Sequence, residues 1–150
     1  MRLATFNLYQ FAEPPSYWYD TDPDSTFAES QWARKLAWID VHLRDMDADI
    51  VGFQEVFSPA RLEALVAAAG YPHFVTVEDP AVDPENPTLF TRPVVALASK
   101  HPVVAADPVP VPAELRSDLD AARDFRFGRQ PIRAVVDLPG LGHMIVYVAH

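Results

Sequence analysis

Cysteine is absent from this sequence of 150 residues. Disulfide bonds and metal sites built on thiolates are therefore excluded, whatever fold the chain adopts. The absence does not identify a cellular compartment, because cysteine-free chains are compatible with both oxidising and reducing surroundings.

Long hydrophobic runs are also missing. No apolar stretch approaches the roughly 18 to 20 residues that a membrane-spanning helix needs. Met1 is followed directly by strand-like sequence, without the basic and apolar regions of a secretory signal. We therefore expect a cytoplasmic protein.

Positive charge is scarce. Lysine and arginine together number 12 against 21 aspartates and glutamates, which gives a formal net charge of -9. A surface this acidic does not bind nucleic acid through bulk charge, because phosphates must be met by lysine or arginine. Hydrophobic residues, by contrast, make up 49% of the chain. That content excludes a disordered tail, and the length suits one domain with its own core.

Strand and helix patterns alternate along the chain. The apolar run 50–53 predicts a strand buried on both faces, and apolar residues at helical spacing predict a helix over 27–46. Ser58 and Pro59 predict the start of a second helix over 59–69. Further strands are predicted over 1–8, 71–77, 94–99, 129–138 and 143–150, with a proline-rich loop over 79–93, an extended connector over 103–112 and a weak helix over 113–124.

Polar side chains stand at the ends of the first two predicted strands. Glu55 follows the buried run, and Asn7 lies near the end of the first strand. If the two strands are parallel neighbours, the two side chains meet at one sheet edge, where α/β proteins form their sites. Oxygen ligands of this kind suit magnesium. The same residues also fit structural roles, with Glu55 capping a turn or pairing with an arginine and Asn7 bonding its own backbone.

Residues 4–8, Ala-Thr-Phe-Asn-Leu, and residues 49–55, Asp-Ile-Val-Gly-Phe-Gln-Glu, resemble the first two motifs of the endonuclease/exonuclease/phosphatase superfamily. The resemblance implies an α/β (α+β) fold. Specifically, it implies half of a four-layer α-β-β-α sandwich, with one mixed sheet of about six strands and helices on its outer face. Residues 1–150 would be the N-terminal portion of such a domain, with the C-terminal half absent.

The resemblance also implies roles for individual residues. Glu55 would bind the metal, which would be Mg²⁺ with Mn²⁺ as an alternative. Asn7 would belong to the metal site together with Glu55 and, with His150, to the catalytic residues, and it would orient the metal-bound carboxylate or a phosphate oxygen. His150, at the end of the last predicted strand, would contact the scissile phosphate, and Arg129, at the start of the preceding strand, would reach toward it. The implied activity is hydrolysis of a phosphodiester or phosphomonoester.

Two further motifs of the superfamily are missing. The chain contains neither an Asp-x-Asn motif nor the Asp-His pair that activates the attacking water. We therefore expect the chain alone to be inactive. Because the inner face of its sheet would be uncovered, we expect a missing C-terminal half or a second chain to cover it. The alternative is a non-catalytic half-domain that serves as a binding or self-association module. The substrate class stays open between nucleic acid, phospholipid and a small phosphate ester.

Overall fold

The computed structural model describes residues 1–18, 26–112 and 127–150. Its strands are β1 (Leu3–Phe11), β2 (Tyr17–Trp18), β3 (Ile50–Val56), β4 (His73–Val75), β5 (Ala81–Val82), β6 (Leu89–Arg92), β7 (Val94–Ser99), β8 (Val103–Pro108), β9 (Ile132–Leu138) and β10 (Gly142–Val148). Its helices are α1 (Glu29–Met46) and α2 (Pro59–Ala68). The predicted weak helix over 113–124 lies outside the described residues.

A four-stranded sheet in the order β1-β3-β7-β4 forms the centre of the fold. β1 runs parallel to β3, as predicted, and β7 is antiparallel to both β3 and β4. All six residues of β7 are buried, and so are six of the seven residues of β3. These continuous apolar strands are buried because both faces of the sheet are covered.

The two helices cover one face of this sheet. The apolar stripe of α1 is buried there, and so is the shorter stripe of α2. The stripes consist of Trp32, Leu36, Ile39 and Leu43 on α1 and of Leu62 and Val66 on α2. They pack with Val51 and Phe53 of β3 in one core cluster. Full burial of each large side chain contributes about 1.5–3 kcal/mol, so this layer supplies much of the stability of the fold.

A three-stranded antiparallel sheet in the order β10-β9-β8 covers the other face. Four alternate residues of β9 are buried, as expected of a strand with one face in a core. The second core cluster joins Ile50, Val95 and Leu97 of the central sheet to Ile132, Ala134, Val136, Leu138 and Val148 of this sheet. The two sheets approach closely at Gly52, where an added Cβ would lie 3.1 Å from the side chain of Val148.

The fold class is confirmed, since two sheets and a helical layer make a sandwich half-domain. The expectation of one mixed sheet of about six strands is wrong in detail, because the strands divide into sheets of four, three and three. The physical reason is that β9 and the central sheet each present an apolar face. Stacking these faces removes more apolar surface from water than extending one sheet edge would. The central strands therefore do not have the uncovered inner face that we expected.

Two segments predicted to be irregular contain strands. The proline-rich loop includes β5 and β6, which join β2 in the third sheet. The predicted connector begins with β8, whose proline, Pro108, is its last residue. Proline is tolerated at such a position because β8 is the outer strand of its sheet in the described part of the chain.

An open cleft remains between β1 and β10, the end strands of the two main sheets. It forms a cavity of about 370 Å³, lined by Leu3, Ala4, Thr5, Ile50, Gly52, Gln54, Val146, Tyr147, Val148 and Ala149. Leu3 and Tyr147 are largely exposed on this side of the molecule. Neither helix in the described ranges combines the length and hydropathy that crossing a bilayer requires.

Candidate active site

Asn7, in the middle of β1, and Glu55, near the carboxyl end of β3, meet where the parallel pairing of the two strands becomes irregular. Asn7 is in register with Gln54, and its Nδ2 donates a hydrogen bond of 3.0 Å to Glu55 Oε1. The Glu55 side chain is only 15% exposed. The sheet thus holds a carboxylate and an amide together at its rim, as the parallel pairing predicted.

Unusual backbone conformations shape this rim. Tyr9, Gln10 and Glu55 have φ angles of 45°, 56° and 60°. The register of β1 against β3 shifts between Asn7 and Phe11 at the same place. A left-handed conformation costs a non-glycine residue about 1–2 kcal/mol, so the surrounding contacts must hold these three residues in place.

Tyr9 and Gln10 form a left-handed irregularity within β1, which we call the left-handed turn. Hydrogen bonds from this turn hold the two polar side chains. The Gln10 amide donates to Glu55 Oε2 at 2.9 Å, and the Tyr9 amide donates to Asn7 Oδ1 at 2.8 Å. Each oxygen of Glu55 therefore accepts one N–H, from Asn7 and from Gln10 respectively. Each oxygen also keeps a second lone-pair direction, through which it can bind a cation or water.

His150 approaches the same carboxylate from the end of β10. Its Nε2 lies 3.9 Å from Glu55 Oε1, and its side chain is 29% exposed. This distance is too long for a hydrogen bond but allows an ion pair with protonated histidine. Three of the four residues singled out from the sequence, Asn7, Glu55 and His150, are thus brought together.

Arg129 lies just before β9, at the end of the β9–β10 hairpin that also carries His150. Its Nε atom is buried and has no hydrogen-bond partner among the residues that the structure describes. The adjacent backbone is held, because the Gln130 amide donates to Glu78 Oε1 at 2.7 Å. Among the described residues, no hydrogen bond or ion pair joins Arg129 to Asn7, Glu55 or His150. Its role in phosphate binding stays a prediction.

Lys35 of α1 was not predicted from the sequence, yet it reaches this site. Its Nζ donates to the carbonyl oxygen of Tyr9 and, at 3.4 Å, to that of Gln10. Burial lowers the pKa of Lys35 to about 8, and the nearby charge of Glu55 opposes this shift. The spacing of the apolar residues could have identified Lys35. It lies three residues after Trp32 and four before Ile39, so it is on the side of α1 that faces the sheet.

The donor set fits a cation held mainly by water. Magnesium is commonly bound by one or two carboxylates and several waters. Glu55 could supply the carboxylate, which accepts the hydrogen bond from Asn7. No group of three or more histidine, aspartate or glutamate side chains with metal-binding geometry occurs among the residues 1–18, 26–112 and 127–150.

Comparison with known proteins identifies the fold. No protein-family profile matches the chain, and no curated protein sequence does. Solved structures do match. An endonuclease/exonuclease/phosphatase from Beutenbergia cavernae DSM 12333 aligns with 99% of this chain at a TM-score of 0.57 and 22% identity. A beta hairpin deletion mutant of beta toxin from Staphylococcus aureus aligns with 99% at a TM-score of 0.55 and 16% identity.

The chain spans only part of these structures, 37% of the first and 50% of the second. The resemblance read from residues 4–8 and 49–55 is confirmed at the level of the fold. The activities of the longer proteins do not transfer with it at such low identity.

Proposed function

We propose that this chain is the N-terminal portion of a metal-dependent phosphoesterase domain and carries part of its active site. The observation that supports the proposal is the meeting of Glu55, Asn7 and His150 at one sheet rim, in a fold shared with an endonuclease/exonuclease/phosphatase. In this assignment Glu55 holds Mg²⁺, with Mn²⁺ as an alternative, and Asn7 orients the Glu55 carboxylate.

Each residue of the site would have a separate role. Bound at Glu55, the cation would act as a Lewis acid and help generate hydroxide from water. The Asn7 amide keeps Oε1 of Glu55 in place. The His150 imidazolium donates a hydrogen bond to a phosphoryl oxygen and can supply a proton. Arg129 would bind phosphate through its guanidinium group, whose buried Nε has no hydrogen-bond partner in the described part of the chain.

Part of the catalytic apparatus would come from outside these 150 residues. The sequence has neither the Asp-x-Asn motif nor the Asp-His pair. The chain spans half or less of the structures it matches. We propose that a C-terminal half, or a second chain, supplies the water-activating pair and fills the cleft between β1 and β10. The chain alone should then bind the cation without turning over substrate.

The substrate is a phosphoester of one of three classes: nucleic acid, phospholipid or a small phosphate ester. The net charge of -9 disfavours non-specific binding to nucleic acid. We therefore expect the substrate to be selected by contacts within the candidate site and not by attraction to a basic surface.

Cation binding to the chain tests this proposal directly. Mn²⁺ is titrated into isotope-labelled protein, and paramagnetic broadening of backbone NMR signals locates the bound ion. We expect signals from residues around Glu55, Asn7 and His150 to broaden first. Glu55→Gln keeps the size of the side chain and removes its charge, so the local broadening should disappear. Glu63→Gln, at an exposed position on α2, is the matched control and should leave it unchanged.

Two results would contradict the proposal. Broadening that spreads over the acidic surface and is the same in Glu55→Gln would show that no site exists at the rim. Magnesium-dependent hydrolysis of a phosphodiester by the chain alone, abolished by Glu55→Gln, would instead show that the site is complete without a further segment.

The open cleft favours a second candidate function, a non-catalytic module for binding or self-association. In the described part of the chain, β1 and β10 each pair on one side only, and Leu3 and Tyr147 beside them are 57% and 62% exposed. Unpaired strand edges next to apolar surface are templates for pairing with another chain. Analytical ultracentrifugation would show a dimer that Leu3→Lys disrupts, and Glu55→Gln would have no effect.

A further inference from the structure

The left-handed turn at Tyr9 and Gln10 connects α1 to the candidate site. Its two amides point to one side and hold Asn7 Oδ1 and Glu55 Oε2. Its two carbonyl groups are both contacted by Nζ of Lys35. The Lys35 ammonium group therefore binds the carbonyl groups of the same two residues whose amides orient Asn7 and Glu55.

The surroundings fix Lys35 in this position. Its Nζ lies 4.5 Å from the centre of the Phe27 ring and 5.7 Å from that of Tyr9. Cations are attracted to aromatic faces within about 6 Å. Lys35 is half-buried, and it is set in the helix between the buried residues Trp32 and Leu36. An ammonium group so enclosed has few alternative positions, and its hydrogen-bond acceptors are the two carbonyl oxygens.

We infer that Lys35 is a positioning residue that locks the left-handed turn and thereby holds Asn7 and Glu55 in the orientation needed to bind a cation. Lys35 acts through the backbone of Tyr9 and Gln10 and does not itself touch substrate or metal. The functional part of this inference rests on the proposed function, whereas the structural part, the locking of the turn, does not.

A simpler role for Lys35 makes the opposite prediction. If its charge only acted on Glu55 through space, its removal would leave a more negative site and strengthen cation binding. If Lys35 positions the turn, its removal lets Glu55 turn away, and cation binding weakens even though a positive charge is lost. The direction of the change in Mn²⁺ affinity therefore separates the two roles.

Amide hydrogen exchange followed by NMR tests the lock without any assumption about activity. In the wild-type chain the Tyr9 and Gln10 amides should be protected. Lys35→Met keeps the apolar length and removes the donors, so these amides should exchange about 10- to 100-fold faster. Val51, a fully buried residue of β3, should keep its protection and thus report that the sheet is intact. Arg34→Met, which removes an exposed cation next to Lys35 on α1, is the control and should change nothing.

The Mn²⁺ titration then tests the functional part. Loss of a group that orients a metal ligand typically weakens metal binding about 10- to 100-fold. We expect Lys35→Met to weaken Mn²⁺ binding in this direction. Lys35→Arg keeps the charge and N–H donors, so it should restore the protection of the amides and most of the affinity.

Each failure has a distinct meaning. Unprotected Tyr9 and Gln10 amides in the wild-type chain, or unchanged protection in Lys35→Met, would overturn the lock, and this holds even if one variant fails to fold. Tighter Mn²⁺ binding in Lys35→Met would overturn the positioning role. If Glu55→Gln leaves Mn²⁺ binding unchanged, the proposed function is overturned. The exchange rates of the Tyr9 and Gln10 amides alone would then decide whether Lys35 locks the turn.

Discussion

Replacing Gly52 with alanine probes the contact between the two main sheets beside the candidate site. A Cβ at this position would lie 3.1 Å from both Cγ1 and Cγ2 of Val148. Carbon atoms at optimal separation are about 3.5–4.0 Å apart, so the new methyl group overlaps its neighbour. Val148 belongs to the core cluster and is 4% exposed. We therefore expect the substitution to push the end of β10 away from β3.

The magnitude follows from two opposing effects. Overpacking a core costs about 1–3 kcal/mol. Replacing glycine by alanine gains about 0.4–1 kcal/mol, because the unfolded chain loses freedom. The free energy of unfolding of Gly52→Ala should thus fall by roughly 0.5–2 kcal/mol relative to the wild type. Gly128→Ala is the matched control, because no atom of residues 1–18, 26–112 and 127–150 lies within 4 Å of a Cβ added there.

Urea unfolding of a double-mutant cycle is the assay. Val148→Ala removes the two methyl groups that meet the new Cβ, so it should relieve the overlap in the double variant. The double variant should be more stable than the sum of the single effects predicts by about 1 kcal/mol, which is the coupling expected of residues in contact. Single effects that add to within about 0.5 kcal/mol, or a Gly52→Ala variant as stable as Gly128→Ala, would refute the close packing of the sheets.

Two electrostatic predictions follow from the same structure. Glu55 raises the pKa of Lys35 against the effect of burial, so Glu55→Gln should lower that pKa below about 8 in an NMR titration of the Lys35 side chain, and Glu63→Gln should not. The hydrogen bond from Lys100 to Asp47 lowers the pKa of Asp47. Its stabilising contribution is therefore present above the ordinary carboxyl pKa of about 4 and is lost as the pH falls through the lower folded value. Asp47→Asn should flatten this acid limb in pH-dependent unfolding, and an unchanged limb would contradict the assignment.

Local sequence signals predicted the elements that place the site. The apolar run before Gln54 predicted β3, and Ser58 with Pro59 predicted the start of α2. The meeting of Asn7 and Glu55 followed from a general rule, since parallel neighbours bring their carboxyl ends to one edge. In each case a few adjacent residues carry the information.

The left-handed turn that orients these side chains had one local signal, Asn7, which was expected to bond its own backbone and whose Oδ1 accepts from the Tyr9 amide two residues later. Tyr9 and Gln10 are not residues that favour a left-handed conformation, which glycine and asparagine adopt most readily. The conformation is imposed by contacts that are distant in sequence, from Glu55, which is 45 residues after Gln10, and from Lys35, which is 25 residues after it. Such a turn is recognisable only once the helix and both strands are in place.

The division into two main sheets also depends on contacts between residues that are distant in sequence. Alternate apolar residues in β9 predict one buried face but do not specify what that face packs against. The approach of β10 to the central sheet is tight at one position, Gly52, where the absence of a side chain makes room for Val148. A glycine there predicts a close approach of something, but the sequence does not say that the partner is Val148.

The packing of the two main sheets and the geometry of the candidate site are therefore linked. Gly52 lies three residues before Glu55 on β3, and Val148 lies two residues before His150 at the end of β10. The contact between Gly52 and Val148 lies beside His150, whose Nε2 is 3.9 Å from Glu55 Oε1. A Cβ at position 52 would require the Val148 side chain to give by a few tenths of an ångström. If the end of β10 moves with it, the distance between His150 and Glu55 increases, and a displacement of about 1 Å in a catalytic group can lower a rate about 100-fold. We therefore expect the candidate site to depend on the packing at position 52 as well as on Asn7, Glu55 and His150.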